Sequence, residues 1–564
     1  FKAALLPFGG ELATNATSNT SYNMQHKLVF SKTINEIHRI NAMAGMEIRS
    51  EDNKNNTNTV WGYVPERGEI LVSPTHPTEV TPVGGTVPIS WGALDKLYQG
   101  GWKNTTITNN YVSFFATFAY SLKDRYVLNA NIRSDASNRF GQDANKQFDP
   151  TYSLGVSWRM AEEEFVKTHL PWINQLNMRA TYGVQGNVVT SVSPDLITQY
   201  QGILPGYNEY YLTISSLPNP LLKWERTKTW NVGLDLQLFN GITMSLEYYG
   251  RRSNAIINQD IAQEYGMNTM KLNGGRIHNH GLEFSMNITP YQRKDFAWTI
   301  GFNASKNWNK TQNDDIQTKA NKITKSDFIS GSSDRFLKKG YPLSAFWSYS
   351  FAGLDPETGY PTFNLIDFEE ADPDIDPTTF LVYSGQKDPY FTGGVDTRIR
   401  YKSLSLGVNF SVLLGAKKRL PNPYQNFNYG KLPEPFYNLS KDLLKRWQKP
   451  GDEKHTIYPA LYTSVEDVYN IKLPDGTAAN SIYEMWGNSD AMVVDASFLR
   501  CTQISLSWNV PVQICAKFGA TNCSISANVN NPFVIGSSRF NGFDPELGDS
   551  VMPKVFSFGL SVGF

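Results

Sequence analysis

His278 and His280, three cysteines, one aspartate-rich run and several aromatic clusters are the places where this 564-residue chain could do chemistry. The two histidines stand two apart, without cysteine or carboxylate partners at zinc spacing, and read as polar strand residues. The run DFEEADPDIDP from Asp367 places Asp372, Asp374 and Asp376 where their oxygens could face calcium. It lacks the glycine and the closing glutamate of an EF-hand loop, so a solvated or partner-facing loop is expected. Cys515 and Cys523 could staple one turn or remain two free thiols, with Cys501 apart from them. No GxSxG, Walker or GxGxxG sequence stands between a strand and a helix, so neither an enzymatic reaction nor a cofactor is expected. Aromatic clusters are the better binding candidates: Tyr207, Tyr210 and Tyr211; Tyr424, Phe427 and Tyr429; and Trp486 beside Asn488 and Asp490. Flat apolar faces flanked by hydrogen-bonding groups suit sugars and peptides alike. The competing role for each is to pack one loop against another.

The elements that must position these residues are strands. Lys+Arg and Asp+Glu balance at 52 each, which gives no footing for nucleic acid. Apolar runs such as FFATFAY from Phe114 are far short of the ~20 residues of a spanning helix. What recurs instead is period-two alternation. Leu28 and Phe30 begin it, and Ile40 to Ile48, Val112 to Leu122 and Tyr126 to Ile132 continue it. Tyr152 to Met160, Leu176 to Val184, Trp230 to Leu238, Ile242 to Tyr248, Leu282 to Ile288 and Trp298 to Ala304 follow. Val395 to Ile399, Leu404 to Val412, Ile504 to Val510, Ile525 to Val529 and the terminal KVFSFGLSVGF complete about fifteen strands on this pattern.

Between the apolar positions stand Ser, Asn, Gly and charge, including Asp135, Arg179, Asp235, Glu247, Glu283 and Asp396. A dry core does not tolerate so much unpaired polarity, so the polar face must line a wet lumen and the apolar face must meet lipid. On the last strand Phe556, Phe558, Leu560, Val562 and Phe564 are therefore lipid-facing. Short links, such as LKDR after Ser121 and Asn240-Gly241, interleave with long ones: Arg49 to Asn109, Asn187 to Thr229, Ser253 to Arg276, Asn307 to Tyr390 and Leu414 to Ala496. That is the rule of outer-membrane barrels, with short periplasmic turns and long outside loops. The link Ala161 to Gln175 is expected to hold a helical turn, and SAFWSYSF from Ser344 to be part of a loop. By strand parity the final strand runs inward and residues 1–22 form an extracellular loop. A passive porin or secretion barrel would show the same features.

Several stretches resemble the SusC/RagA-like TonB-dependent transporters of the Bacteroidota. RSDASNRFG from Arg133 is similar to the family's RxDGSSRFG, departing from it at Ala136 and Asn138, and EEEF from Glu162 follows. LNMRATYGVQGN from Leu176, LKWERTKTWNVGLD from Leu222 and NGGRIHNHGLEF from Asn273 resemble further signatures, as do FLRCTQISLSWNVP from Phe498 and RFNGFDPE from Arg539. The resemblance implies an all-β transmembrane antiparallel barrel of about 22 strands, of which residues 23–564 supply the C-terminal part. The plug and TonB box are expected elsewhere, with the remaining strands. It also implies TonB-energised import of a glycan or peptide oligomer through the bacterial outer membrane, beneath a SusD-like surface lipoprotein. The partners so implied are the plug-bearing N-terminal fragment, that lipoprotein, the TonB complex and outer-membrane lipid. A C-terminal aromatic strand also resembles the signal read by the barrel-assembly machinery.

Overall fold

The computed structural model describes residues 9–72, 101–141, 148–187, 189, 192–204, 207, 209–239, 241–267, 269–312, 338–364, 381–424, 438–461 and 482–564. Fifteen strands follow one another in chain order through a single antiparallel sheet, with the short strand Ile70–Leu71 paired to one side. They are β1 (Gly10–Ile34), β2 (His38–Val64), β3 (Gly101–Leu122), β4 (Tyr126–Ser137) and β5 (Asp149–Arg159). Next come β6 (Ile173–Asn187), β7 (Glu225–Leu238), β8 (Ile242–Asp260), β9 (Thr269–Gln292) and β10 (Phe296–Thr311). Last are β11 (Phe391–Tyr401), β12 (Leu404–Leu414), β13 (Phe498–Asn509), β14 (Asn522–Gly536) and β15 (Val555–Gly563). β1 and β15 are the two ends of this path and do not pair with each other.

Tight turns lie at one rim. Asn35 and Glu36 between β1 and β2 have φ of 50° and 59°, and Lys123 and Asp124 between β3 and β4 have 52° and 53°. Two successive left-handed residues give the turn whose twist matches that of the strands it joins. The link from β5 to β6 carries the helix Glu164–His169, as expected. An unforeseen short helix, Val512–Cys515, sits in the link from β13 to β14.

Residues 10–22, expected as a loop, are instead the upper part of β1, paired with β2 from Tyr63 to Ser50. β1 and β2 are 25 and 27 residues long, against the roughly 9–11 that cross a bilayer. Their upper parts stand in water on both sides, so Asn, Thr and Ser occupy both faces and the alternation vanishes while the pairing continues. The stretches flanking the other expected loops, such as Gly101 to Asn109 and Ser253 to Asp260, are strand for the same reason.

Lower in the wall the alternation holds. Phe114, Leu154, Val232, Leu246, Leu282, Leu406 and Leu506 are exposed on one face. On β15 Phe556, Phe558, Leu560 and Val562 are exposed as well, as is Phe564 just past its end, with Phe558 at 85%. Phe558→Arg should therefore cost about 2–4 kcal/mol near the bilayer midplane. Urea unfolding in lipid vesicles checks this, and an unchanged midpoint would mean that Phe558 does not meet hydrocarbon.

SAFWSYSF belongs to the loops. Ala345–Tyr349 pairs with Leu381–Gln386, and Phe351–Leu354 pairs with Pro361–Phe363, both outside the sheet of fifteen. The loop side also holds a hydrophobic core that includes Leu420, Tyr424, Leu443, Ile482, Trp486 and Phe540. Five of these come from the long link between β12 and β13, and Phe540 from the link between β14 and β15.

Candidate functional site on the lumenal wall and the extracellular loops

Three arginines organise the polar face. Arg179 on β6 stands in register with Gly233 on β7, which stands in register with Glu247 on β8. Because residue 233 has no side chain, the guanidinium crosses the intervening strand; a Cβ there would meet Arg179 Nε at 2.7 Å. Arg179 thereby donates to both Asp235 and Glu247. Asn231 donates to Glu247 at 2.8 Å and Ser245 to Asp235 at 2.8 Å, completing the network. On β4, Arg133 donates to Asp135 at 2.6 Å, Ser113 at 2.8 Å and Glu47 at 3.2 Å. On β13, Arg500 donates to Asp544 at 2.7 Å and Glu546 at 3.1 Å, with its guanidinium 4.9 Å from the Phe498 ring centre. Each guanidinium thus holds two carboxylates. A small cavity of about 240 Å³ near Glu247 is lined also by Glu283, Ser285 and Asn303. The wall is hydrogen-bonded and locally acidic.

The aromatic candidates divide. Residues 197–204 and 209–216 form a hairpin in the link from β6 to β7. Tyr207 at its tip and Tyr210 are 76% and 73% exposed, and Tyr211 is half-buried. The Tyr200 and Tyr210 rings lie 5.7 Å apart. Tyr424 and Trp486 are not on any surface, being 3% and 0% exposed. Trp486 donates to Ile457 O at 2.9 Å, Tyr424 donates to Pro459 O at 2.6 Å, and the two rings meet edge to face at 5.3 Å. Burial holds the Tyr424 phenol far above its ordinary pKa, so it stays a neutral donor. These two residues pack the loops, which corrects their selection as ligand contacts. Phe427 and Tyr429, and the aspartates Asp372, Asp374 and Asp376, lie outside the described residues.

Cys501, Cys515 and Cys523 are all free thiols. Of the two readings open for Cys515 and Cys523, two free thiols hold: the Cys515 thiol turns back to Val510 O just before its helix, 3.5 Å away, while Cys523 sits on β14 opposite Val562. His280 stacks on Trp308 with ring centres 5.1 Å apart, and His278 bonds to Gln312. No group of three His, Cys, Asp or Glu side chains that could hold a metal is found among the described residues.

Two motif stretches dock on each other at the loop side. Phe140 stacks on Trp224 with ring centres 4.6 Å apart, and the Gly141 amide donates to Leu222 O at 3.0 Å. A Cβ at Gly141 would meet Pro220 O at 1.8 Å. Gly141→Ala should cost about 1–3 kcal/mol through this overpacking and lift the 192–224 segment off the sheet, read as faster proteolysis of that segment. Wild-type protection in the variant would count against the docking. Beside this joint lies a cleft of about 420 Å³ lined by Arg139, Ser193, Ser215, Ser216 and Lys271, among others. Composition offered no signal for it, because its walls come from three separate links.

The sheet of alternating strands, with a charged inner face and long loops at one rim, defines an outer-membrane β-barrel wall. The model of the TonB-dependent receptor-like β-barrel family matches residues 9–411, and the chain belongs to that family. Among curated relatives, the TonB-dependent receptor SusC of Bacteroides thetaiotaomicron is 28% identical over 488 residues, covering 81% of this chain and 44% of SusC. A TonB-dependent receptor of Formosa agariphila is 25% identical over 592 residues, covering 96% of this chain and 51% of that protein. The chain thus spans about half the length of the curated relatives it matches. A solved structure of the RagAB peptide transporter superposes with a TM-score of 0.74 at 21% identity, covering 98% of this chain and 56% of that one. Within that family the chain is similar to SusC in sequence and to the RagAB transporter in fold, and its place is the bacterial outer membrane.

Proposed function

We propose that this chain forms the lumen and loop surface of an importer that carries a nutrient oligomer, glycan or peptide, through the outer membrane. The observation that carries the proposal is the pair of clasped arginines Arg133 and Arg179, which keeps a charged, solvent-accessible inner face on a sheet whose outer face is greasy. Passage is energised by TonB acting on a plug, and a SusD-like lipoprotein closes over the loops. The sheet's open path supports further strands between β15 and β1, because unpaired strand edges are not stable in lipid. Tyr207, Tyr210 and Tyr211 on the exposed hairpin make first contact with the ligand.

Affinity purification from native outer membranes tests this reading. A plug-bearing segment, on this polypeptide or another, and a surface lipoprotein should co-purify. A barrel isolated free of both would favour a passive porin. Tyr210→Ala should weaken binding of the oligomer to that complex by about 1–3 kcal/mol, the worth of one aromatic stacking surface. Unchanged affinity in titration calorimetry would remove Tyr210 from the site.

A further inference from the structure

On the membrane-facing side of β7 to β10 we infer a binding site for the phosphate headgroup of an outer-leaflet glycolipid, held by Lys228, Arg252 and Lys310. Lys228 stands opposite Arg252, Arg252 opposite His278, and His278 opposite Lys310, so four basic side chains form one row across four adjacent strands. Lys228, Arg252 and His278 are four, six and four residues from Val232, Leu246 and Leu282, the exposed apolar residues of the same strands. Even spacing keeps them on that outer face. With strands about 4.8 Å apart the row is about 14 Å wide, the reach of one headgroup.

An aromatic row fixes the depth of the basic one. Trp230, Gly250, His280 and Trp308 are in register two residues further down their strands. The Trp230 ring covers Gly250, where a Cβ would meet its Nε1 at 2.5 Å, and His280 stacks on Trp308. Trp298, near the lower end of β10, stands ten residues from Trp308, roughly 33 Å of strand. A tilt of about 45° turns that length into roughly 23 Å, the height of a barrel's apolar band between its two aromatic girdles. Lys306, inside the band, lifts its Nζ to 4.9 Å from the Trp308 ring centre and 5.5 Å from that of Tyr390, reaching for the same interface. The basic row therefore lies at headgroup level, at the rim of the long loops, which faces the outer leaflet.

No group among the described residues neutralises the row. Lys228, Arg252 and Lys310 are exposed and make no ion pair or hydrogen bond there. From the row downward the carboxylates of these four strands are Asp235, Glu247 and Glu283, which stand on the lumenal face. Arg226, two residues above Lys228, differs: it pairs with Asp149 at 3.1 Å and donates to Pro150 O at 3.2 Å. Like charges directly opposite on neighbouring strands destabilise a sheet. A row of cations at this depth is the complement of a lipid phosphate, which relieves that repulsion.

Native mass spectrometry of the complete transporter complex in detergent, titrated with lipid, tests the inference. The probes are diphosphoryl lipid A and the same lipid after phosphatase treatment, which keeps the acyl chains and loses the anion. EDTA is present throughout, so that no metal ion bridges lipid to protein. Wild type should bind the phosphorylated form roughly a hundredfold more tightly. Lys228→Gln, Arg252→Gln and Lys310→Gln should each weaken that form about fivefold, the contribution of one cation beside anionic lipid. The triple variant should lose the preference, with binding of the dephosphorylated lipid unchanged. Lys228→Arg combined with Lys310→Arg should keep wild-type affinity, because the charge remains. Thermal transitions in detergent check that each variant is folded, and the single variants carry the test if the triple is not. Equal binding of the two lipids by wild type, or an undiminished preference in the folded variants, would overturn the inference. Loss of a co-purifying protein from the variants, with the lipid preference intact, would overturn it in favour of a protein contact.

Discussion

Replacing Trp486 with alanine should destabilise the loop module by about 3–5 kcal/mol and leave the sheet of fifteen strands folded. Trp486 has no exposed surface and touches the core on several sides: Tyr424 edge-on at 5.3 Å, Tyr458 at 5.6 Å, and Ile457 O through its indole N–H at 2.9 Å. Removing it deletes a large apolar volume and orphans a carbonyl at once. Because the core draws on Leu420, Leu443 and Phe540 from separated stretches, little remains to hold those loops together. Limited proteolysis in detergent should cut the 415–497 link early in the variant, while the strands keep their thermal transition. Wild-type protection of that link would mean the aromatic core does not organise the loops.

Breaking the Arg500–Asp544 pair should cost a similar 3–5 kcal/mol when only one partner is removed, since the other is left charged and buried. Both side chains are 4% exposed. Arg500→Met strands Asp544, and the link from β14 to β15 should detach from β13. Burial alone would raise the Asp544 carboxyl, yet the hydrogen bond from Arg500, the Glu546 and Leu547 amides and the guanidinium charge outweigh it and hold the group below its ordinary range. A depressed folded pKa contributes stability that is present above the unfolded value, about 3.9, and lost as pH falls through the lower folded one. Wild-type stability attributable to this pair should be constant from neutral pH to about 5 and fall below about 4. Asp544→Asn should lack that acid step in urea titrations; an unaltered acid profile would contradict the assignment.

The strands were legible where the environment differs between faces. Hydrocarbon on one side and water on the other imposed alternation on Tyr152 to Arg159 and on Phe556 to Gly563, and these stretches are strands. Where water stands on both sides, as along Gly10 to Tyr22, β-pairing leaves no two-fold pattern to read, so a paired strand looked like a loop. Loop aromatics were harder for another reason. Tyr210 and Tyr424 are the same residue type in similar polar surroundings, yet one is 73% exposed and the other 3%. The difference comes from partners such as Pro459 and Trp486, far along the chain. The motif arginines carried more information than their alternation suggested. Arg179 was visible as an inward charge, but its reach to Glu247 depends on Gly233, whose role appears only once three strands are in register.

Uptake measured before and after collapse of the proton-motive force tests most directly whether this barrel is an energised importer. Radiolabelled oligogalacturonate, maltooligosaccharide and mixed short peptides are offered to native cells and to cells lacking this gene. One of them should accumulate in native cells, fail to do so in the deletion strain, and stop entering when an uncoupler is added. Entry that needs this gene yet continues at the same rate in the presence of the uncoupler would contradict energised import and make the barrel a passive pore.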